Sequence, residues 1–147
     1  MKRYLLYGIV IFLTYSCAPV MSTAEVKKIS ENSNGLLKLK VVGYGKTKLK
    51  AIEEGKMQAF KMLLFYGIPS SSLSKGIAGN ESELKEKHKD YFKKLLEQKG
   101  AYSFITNFKE TSDYSKKEDK IECVIEINVK SLKADLEQNN VIRRFGL

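Results

Sequence analysis

Along residues 36–44, Leu37, Leu39 and Val41 alternate with Lys38, Lys40 and Val42, the period of two that marks a strand with one buried face. The period then changes. Ala51, Ile52, Gly55, Ala59, Met62, Leu63 and Tyr66 recur at helical spacing and predict an amphipathic helix. Gly43 and Gly45 allow a sharp turn between the two, and Thr47 is placed to cap the helix with its hydroxyl. Ala51, Gly55 and Ala59 are four apart and form a flat strip. Glycine inside a helix costs roughly 1 kcal/mol against alanine, so Gly55 points to a helix lying close on a sheet. This unit, 36–66, is the framework onto which the rest is expected to fold.

Residues 67–79 (GIPSSSLSKGIAG) read as a loop, of a length often tied to function or mobility. Asn80, with Glu83 three positions on, starts a second helix in the capping-box pattern. Leu84, His88, Tyr91, Phe92 and Leu95 form its apolar stripe, and Gly100 its C-cap. Residues 101–111 alternate, with Tyr102, Phe104, Thr106 and Phe108 on one side. After a polar turn at 112–119, residues 120–130 give the cleanest strand pattern. Ile121, Cys123, Ile125, Ile127 and Val129 face one way there; Glu122, Val124, Glu126 and Asn128 face the other. Two such runs across a short polar loop predict an antiparallel hairpin. Ser131 is expected to cap a last helix over 132–139, and the apolar residues of 141–147 predict a docked terminus. The order β-α-α-β-β-α predicts an α+β fold, a two-layer sandwich with a three-stranded sheet and its helices on one face.

Ahead of this pattern, Lys2 and Arg3 precede an apolar run over 4–13, closed by Thr14-Tyr15-Ser16-Cys17. The run is too short to span a bilayer comfortably. A leader that ends at cysteine resembles the bacterial lipoprotein signal, in which that cysteine receives lipid before cleavage. The resemblance implies a signal peptide over 1–16 and lipidation of Cys17 by palmitate-like acyl chains. Each buried CH₂ contributes roughly 0.8 kcal/mol to anchoring, so several chains hold stably. Residues 17–35, small, polar and mixed in charge, then read as a flexible tether to a single domain, 36–147. Ala18 follows the cysteine where an aspartate would resemble an inner-membrane retention signal. The expected address is therefore the outer membrane, with the domain facing the periplasm.

Length and charge narrow the classes of function. A chain of 147 residues fits one domain. The net charge of +9 suggests a binding module for anionic envelope ligands, lipid headgroups or polysaccharide, as an alternative role. Interspersed acids and the envelope address argue against nucleic acid. With Cys17 lipidated, Cys123 has no disulfide partner and reads as a small buried residue. Cys123 and the single histidine, His88, are too few ligands for a metal. Gly45-Lys46-Thr47 looks like the end of a phosphate-binding loop, but Lys40 stands where that motif needs its first glycine. The dinucleotide fingerprint fails as well, its third glycine falling on Lys48. His88 has no partner in view, and Glu53 and Glu54, adjacent on a helix, diverge. No catalytic residue, cofactor or metal is expected, and the chain reads as non-enzymatic.

Several of these features together resemble a known family. They are the strand ending in Gly43-Tyr44-Gly45, the helix with Ala51, Gly55 and Ala59, and the break at Gly67. The later hairpin followed by Ser131-Leu132-Lys133-Ala134-Asp135-Leu136 and the terminal 141–146 complete the set. The family is that of small bacterial envelope lipoproteins that includes the N-terminal domain of flagellar assembly protein T, and the resemblance covers roughly 36–147. Gly67-Ile68-Pro69 departs from its pattern. The resemblance implies a structural or interaction component of a cell-envelope assembly, working through an envelope protein partner or a homo-oligomer. The free sheet face, the sheet edges and the 67–79 loop are the expected contact sites, since exposed edges readily pair with other chains.

Overall fold

The computed structural model describes residues 25–143. Its sheet has four antiparallel strands, β1 (Val26–Glu31), β2 (Leu36–Tyr44), β3 (Ile105–Glu110) and β4 (Lys120–Asn128), in the spatial order β1-β2-β4-β3. The three-stranded sheet expected from the sequence is corrected by β1, which lies within the span read as a tether. Val26 is buried against the core, while Ile29 sits where the register slips between Lys28 and Ser30 and is 51% exposed. An edge strand with one buried apolar residue and a bulge carries almost no period-two signal. Pairing holds it instead, from Val26 opposite Val41 to Glu31 opposite Leu37. The connecting turn is closed by Asn32, whose Oδ1 accepts from the amides of Asn34 and Leu36 at 3.1 and 2.9 Å.

Helix α1 (Lys48–Lys61) follows β2, with Thr47 Oγ1 accepting from the Lys50 amide at 3.3 Å. It runs on into a wide π turn over Met62–Tyr66 and stops at Gly67, φ +87°. The small-residue strip lies directly on the sheet. A Cβ added at Gly55 would stand 3.1 Å from the Gly43 Cα, and one at Gly43 only 2.0 Å from the Ala51 carbonyl oxygen.

The single helix expected over 80–100 is two pieces, α2 (Glu81–Lys87) and α3 (Lys89–Phe92), meeting at His88, whose φ of −121° is not helical. A π turn over Lys93–Glu97 extends α3. Lys99, not Gly100, takes the left-handed conformation that ends the segment. Tyr102 and Phe104 fall in a 3₁₀ turn ahead of β3, and a register slip at Thr106 brings Ile105 and Phe108 to the helix side. Helix α4 (Val129–Gln138) starts directly from β4, earlier than expected, because Asn128 Oδ1 caps it by accepting from the Ser131 amide at 2.9 Å.

The helices cover one sheet face. Leu37, Leu39, Val41, Ile125 and Ile127 pack there against Phe60, Leu63 and Leu64 of the first helical segment. Phe92, Leu95 and Leu96, and then Leu132, Leu136 and Val141, complete the core. Each such side chain contributes roughly 1.5–3 kcal/mol by leaving water. Ala51, Ile121 and Cys123 form a smaller cluster beneath the start of α1.

Candidate interaction surface

The alternation that buries one sheet face puts charge on the other. Facing residues there are Lys27, Lys40, Val124 and Lys109 in one row across the four strands, and Ser30, Lys38, Glu126 and Asn107 in the next. Lys40 pairs with Glu122 at 2.7 Å and Lys38 with Glu126 at 3.6 Å, and Thr106 Oγ1 donates to Glu126 Oε1 at 2.9 Å. Such half-exposed pairs contribute at most about 1 kcal/mol each, so this face is a polar lattice rather than a buried apolar contact. Val42 and Val124 are the aliphatic groups between its charges.

Both edges are guarded. The outer strand β1 carries Lys27, Lys28 and the bulge at Ile29, and the outer strand β3 carries Lys109 and the slip at Thr106. Lysines and bulges on edge strands oppose open-ended pairing with another chain. The edges are poorer contact sites than the sequence suggested.

The 67–79 loop is tied down along its length. Ile68 is fully buried. Its amide donates to the Leu73 carbonyl at 2.7 Å, and the amides of Ile77 and Ala78 donate to the carbonyls of Leu63 and Leu64 at 3.1 and 2.8 Å. Gly76 lies so close to the Phe65 backbone that a Cβ would meet its carbonyl carbon at 2.3 Å. Two of the three serines make structural bonds. Ser71 Oγ donates to the Ile68 carbonyl at 2.7 Å, and the amide and hydroxyl of Ser72 both donate to the Glu31 carboxylate. Those bonds from Ser72, reinforced by Lys28, hold the Glu31 carboxyl below its ordinary pKa despite some burial. They clip β1 to the loop.

The residues weighed for chemistry are scattered. His88 sits at the α2–α3 junction with a buried Nε2 that has no hydrogen-bond partner among the described residues. No described acid holds it in a proton-transfer geometry. The Cys123 thiol is 5% exposed, and burial pushes its pKa up to about 11. Tyr91 donates to Asp135 at 2.6 Å, joining α3 to α4, and burial followed by that carboxylate raises its pKa well above the usual phenol value. Glu53 forms an ion pair with Lys99, and Glu54 accepts from the Tyr44 amide at 2.9 Å, so the two carboxylates serve different contacts. No three of the described His, Cys, Asp and Glu side chains gather where they could hold a metal ion. No described helix is long and apolar enough to cross a membrane. Cys17 lies outside the described residues.

One feature of the surface was not singled out in the sequence. The turn between β2 and α1 and the β3–β4 loop meet at one end of the sheet. The Gly45 amide donates to the Asp119 carbonyl at 2.7 Å, and Tyr114 Oη donates to the Gly45 carbonyl at 2.8 Å. Leu49, 74% exposed, lies at the start of α1 between Lys48 and Lys50 in the chain. Its signal was the run Lys46-Thr47-Lys48-Leu49-Lys50, in which the leucine lies off the helix face made by Ala51, Gly55 and Ala59. Compared with protein-family models, curated proteins and solved structures, the chain matches none of them.

Proposed function

We propose that this chain is a lipid-anchored envelope protein, held at the outer membrane on the periplasmic side. It acts without catalysis, as a structural or interaction component of a cell-envelope assembly. The observation that carries the proposal is the leader: a basic start, a short apolar run and a small residue directly before Cys17. The burial of Cys123 is compatible with it, because it leaves Cys17 without an accessible thiol partner in its own domain. The resemblance to the lipoproteins of the flagellar assembly protein T type supports the assembly role. So does the polar sheet face, whose lysines and glutamates suit a hydrated, specific contact more than a permanent apolar one.

Growth with an alkyne fatty acid, followed by click detection and fractionation, tests the proposal. The wild-type chain is expected to carry label and to sediment with membranes, and Cys17→Ser is expected to lose both. Wild-type protein that is unlabelled and recovered in the soluble fraction would overturn it. In the same cells, a photo-crosslinker at Lys109 is expected to trap an envelope protein or a second copy; adducts with neither would remove the assembly role.

A further inference from the structure

The chain reaches the domain at the Leu49 end. The Val42 amide donates to the Glu25 carbonyl at 3.1 Å, and the neighbouring Tyr44 faces Lys120 across β2 and β4. The start of β1, the start of α1 and the β3–β4 loop therefore share one end of the sheet. Seven residues separate Cys17 from Glu25. Fully extended, that connection spans at most about 28 Å, against roughly 65 Å had the fold begun at residue 36. Whatever surface holds Cys17 is within reach of this end.

This end carries free basic charge. Lys46, Lys50, Lys116 and Lys117 are exposed and form no ion pair among the described residues, whereas the carboxylates nearby are mostly engaged. Glu25 pairs with Lys27, Glu110 with Lys48 at 2.6 Å and Glu118 with Lys120 at 3.1 Å, and Asp119 Oδ1 lies 2.9 Å from the Tyr114 hydroxyl, sharing its one proton with the Gly45 carbonyl. Asp113 is the exposed acid outside these contacts. Leu49 is the most exposed large apolar side chain described; Lys46 and Lys50 flank it in the chain, and Lys116 and Lys117 belong to the β3–β4 loop that bonds to the β2–α1 turn. A solitary exposed leucine is ordinary. One that shares the end where the chain enters the domain with four free lysines matches a headgroup layer, where phosphates meet the ammonium groups and the leucine enters the acyl boundary.

We propose that this end of the domain rests on an anionic phospholipid surface, with Leu49 among the headgroups and Lys46, Lys50, Lys116 and Lys117 on their phosphates. The proposal rests on the lipid-anchored reading and adds an orientation to it: the far end of α1, with Tyr66 and α2, points away from the bilayer.

The test uses the full chain, expressed with its leader, purified from membranes and reconstituted into vesicles. These are phosphatidylcholine alone or with about 30% phosphatidylglycerol. An environment-sensitive fluorophore is placed at Leu49→Cys or, as the control, at Ser82→Cys on α2, and quenched by lipid-borne spin labels. Quenching at 49 is expected to exceed that at 82 by about threefold or more in the anionic vesicles, and to fall to the control level in high salt, where screening shortens the reach of each charge. Replacing Lys46, Lys50, Lys116 and Lys117 by Glu is expected to abolish the difference while the protein still floats with the vesicles. Equal quenching at 49 and 82 in floating protein overturns the orientation and leaves the anchor standing. A chain that does not float removes the anchor and the orientation together. Protection of position 49 that follows protein density and ignores phosphatidylglycerol assigns the patch to a second copy and overturns the proposal.

Discussion

Gly43 and Gly55 are where β2 and α1 come closest, and they are not equivalent. A Cβ at Gly43 would lie 2.0 Å from a backbone oxygen, which only a shift of the helix could relieve; one at Gly55 would meet atoms at 3.1–3.3 Å. Gly43→Ala is expected to lower unfolding stability by about 3 kcal/mol, the upper end of what overpacking typically costs. Gly55→Ala is expected to stay within about 1 kcal/mol of wild type, because gained helix propensity offsets the crowding. Urea unfolding of the two variants decides it, and equal losses would contradict the asymmetry. Cys123 offers a second check at this scale. Buried, with a thiol pKa of about 11, it is expected to resist a thiol reagent in the native protein and to react at once in guanidinium. Rapid native labelling would mean that the cluster under α1 opens readily. The need for small residues at 51, 55 and 59 was legible in the sequence, since only close approach justifies a mid-helix glycine. That Gly43 is the tighter partner was not, because a glycine before a turn reads the same whether it serves the turn or the packing.

At the scale of elements, β2, α1 and β4 were legible because each buries one face and repeats its apolar residues at the matching period. Strand β1 was not, as it has one core residue, a bulge and flanks rich in Ser and Asn. It is defined by pairing, which a single sequence does not display. Hydrogen exchange tests it: the amides of 26–31 that pair with β2 are expected to exchange orders of magnitude more slowly than those of an open tether. Exchange at the unfolded rate would return the segment to linker. The clip between Glu31 and Ser72 adds a pH dependence. A carboxyl whose folded pKa lies below its unfolded value contributes in full above the unfolded value and loses that contribution as pH falls through the folded one. Between about pH 6 and about pH 3, Glu31→Gln is therefore expected to lose less stability than wild type. An identical acid profile would show that the clip does not hold in solution. The break at His88 was also hidden, because the apolar stripe runs through it without interruption.

For the whole molecule, the mixture of helices and strands was readable, but the expected three-stranded sheet was wrong: the fourth strand, β1, moves the point where the chain enters the domain from 36 to 25. If Cys17 is the point of attachment, β1 leaves only seven residues between it and Glu25, and the end of the domain nearest it carries Leu49 and the free lysines. The open sheet face is charged, and both edge strands carry lysines and register slips. All of this acquires a direction only if the chain is attached at Cys17. Mass spectrometry of the amino-terminal peptide of protein extracted from membranes decides that. A peptide beginning at Cys17 and heavier by a diacylglyceryl group, with or without an amide-linked acyl chain, is the expected result. An unmodified thiol at that position, or a mature chain that starts elsewhere, would contradict it.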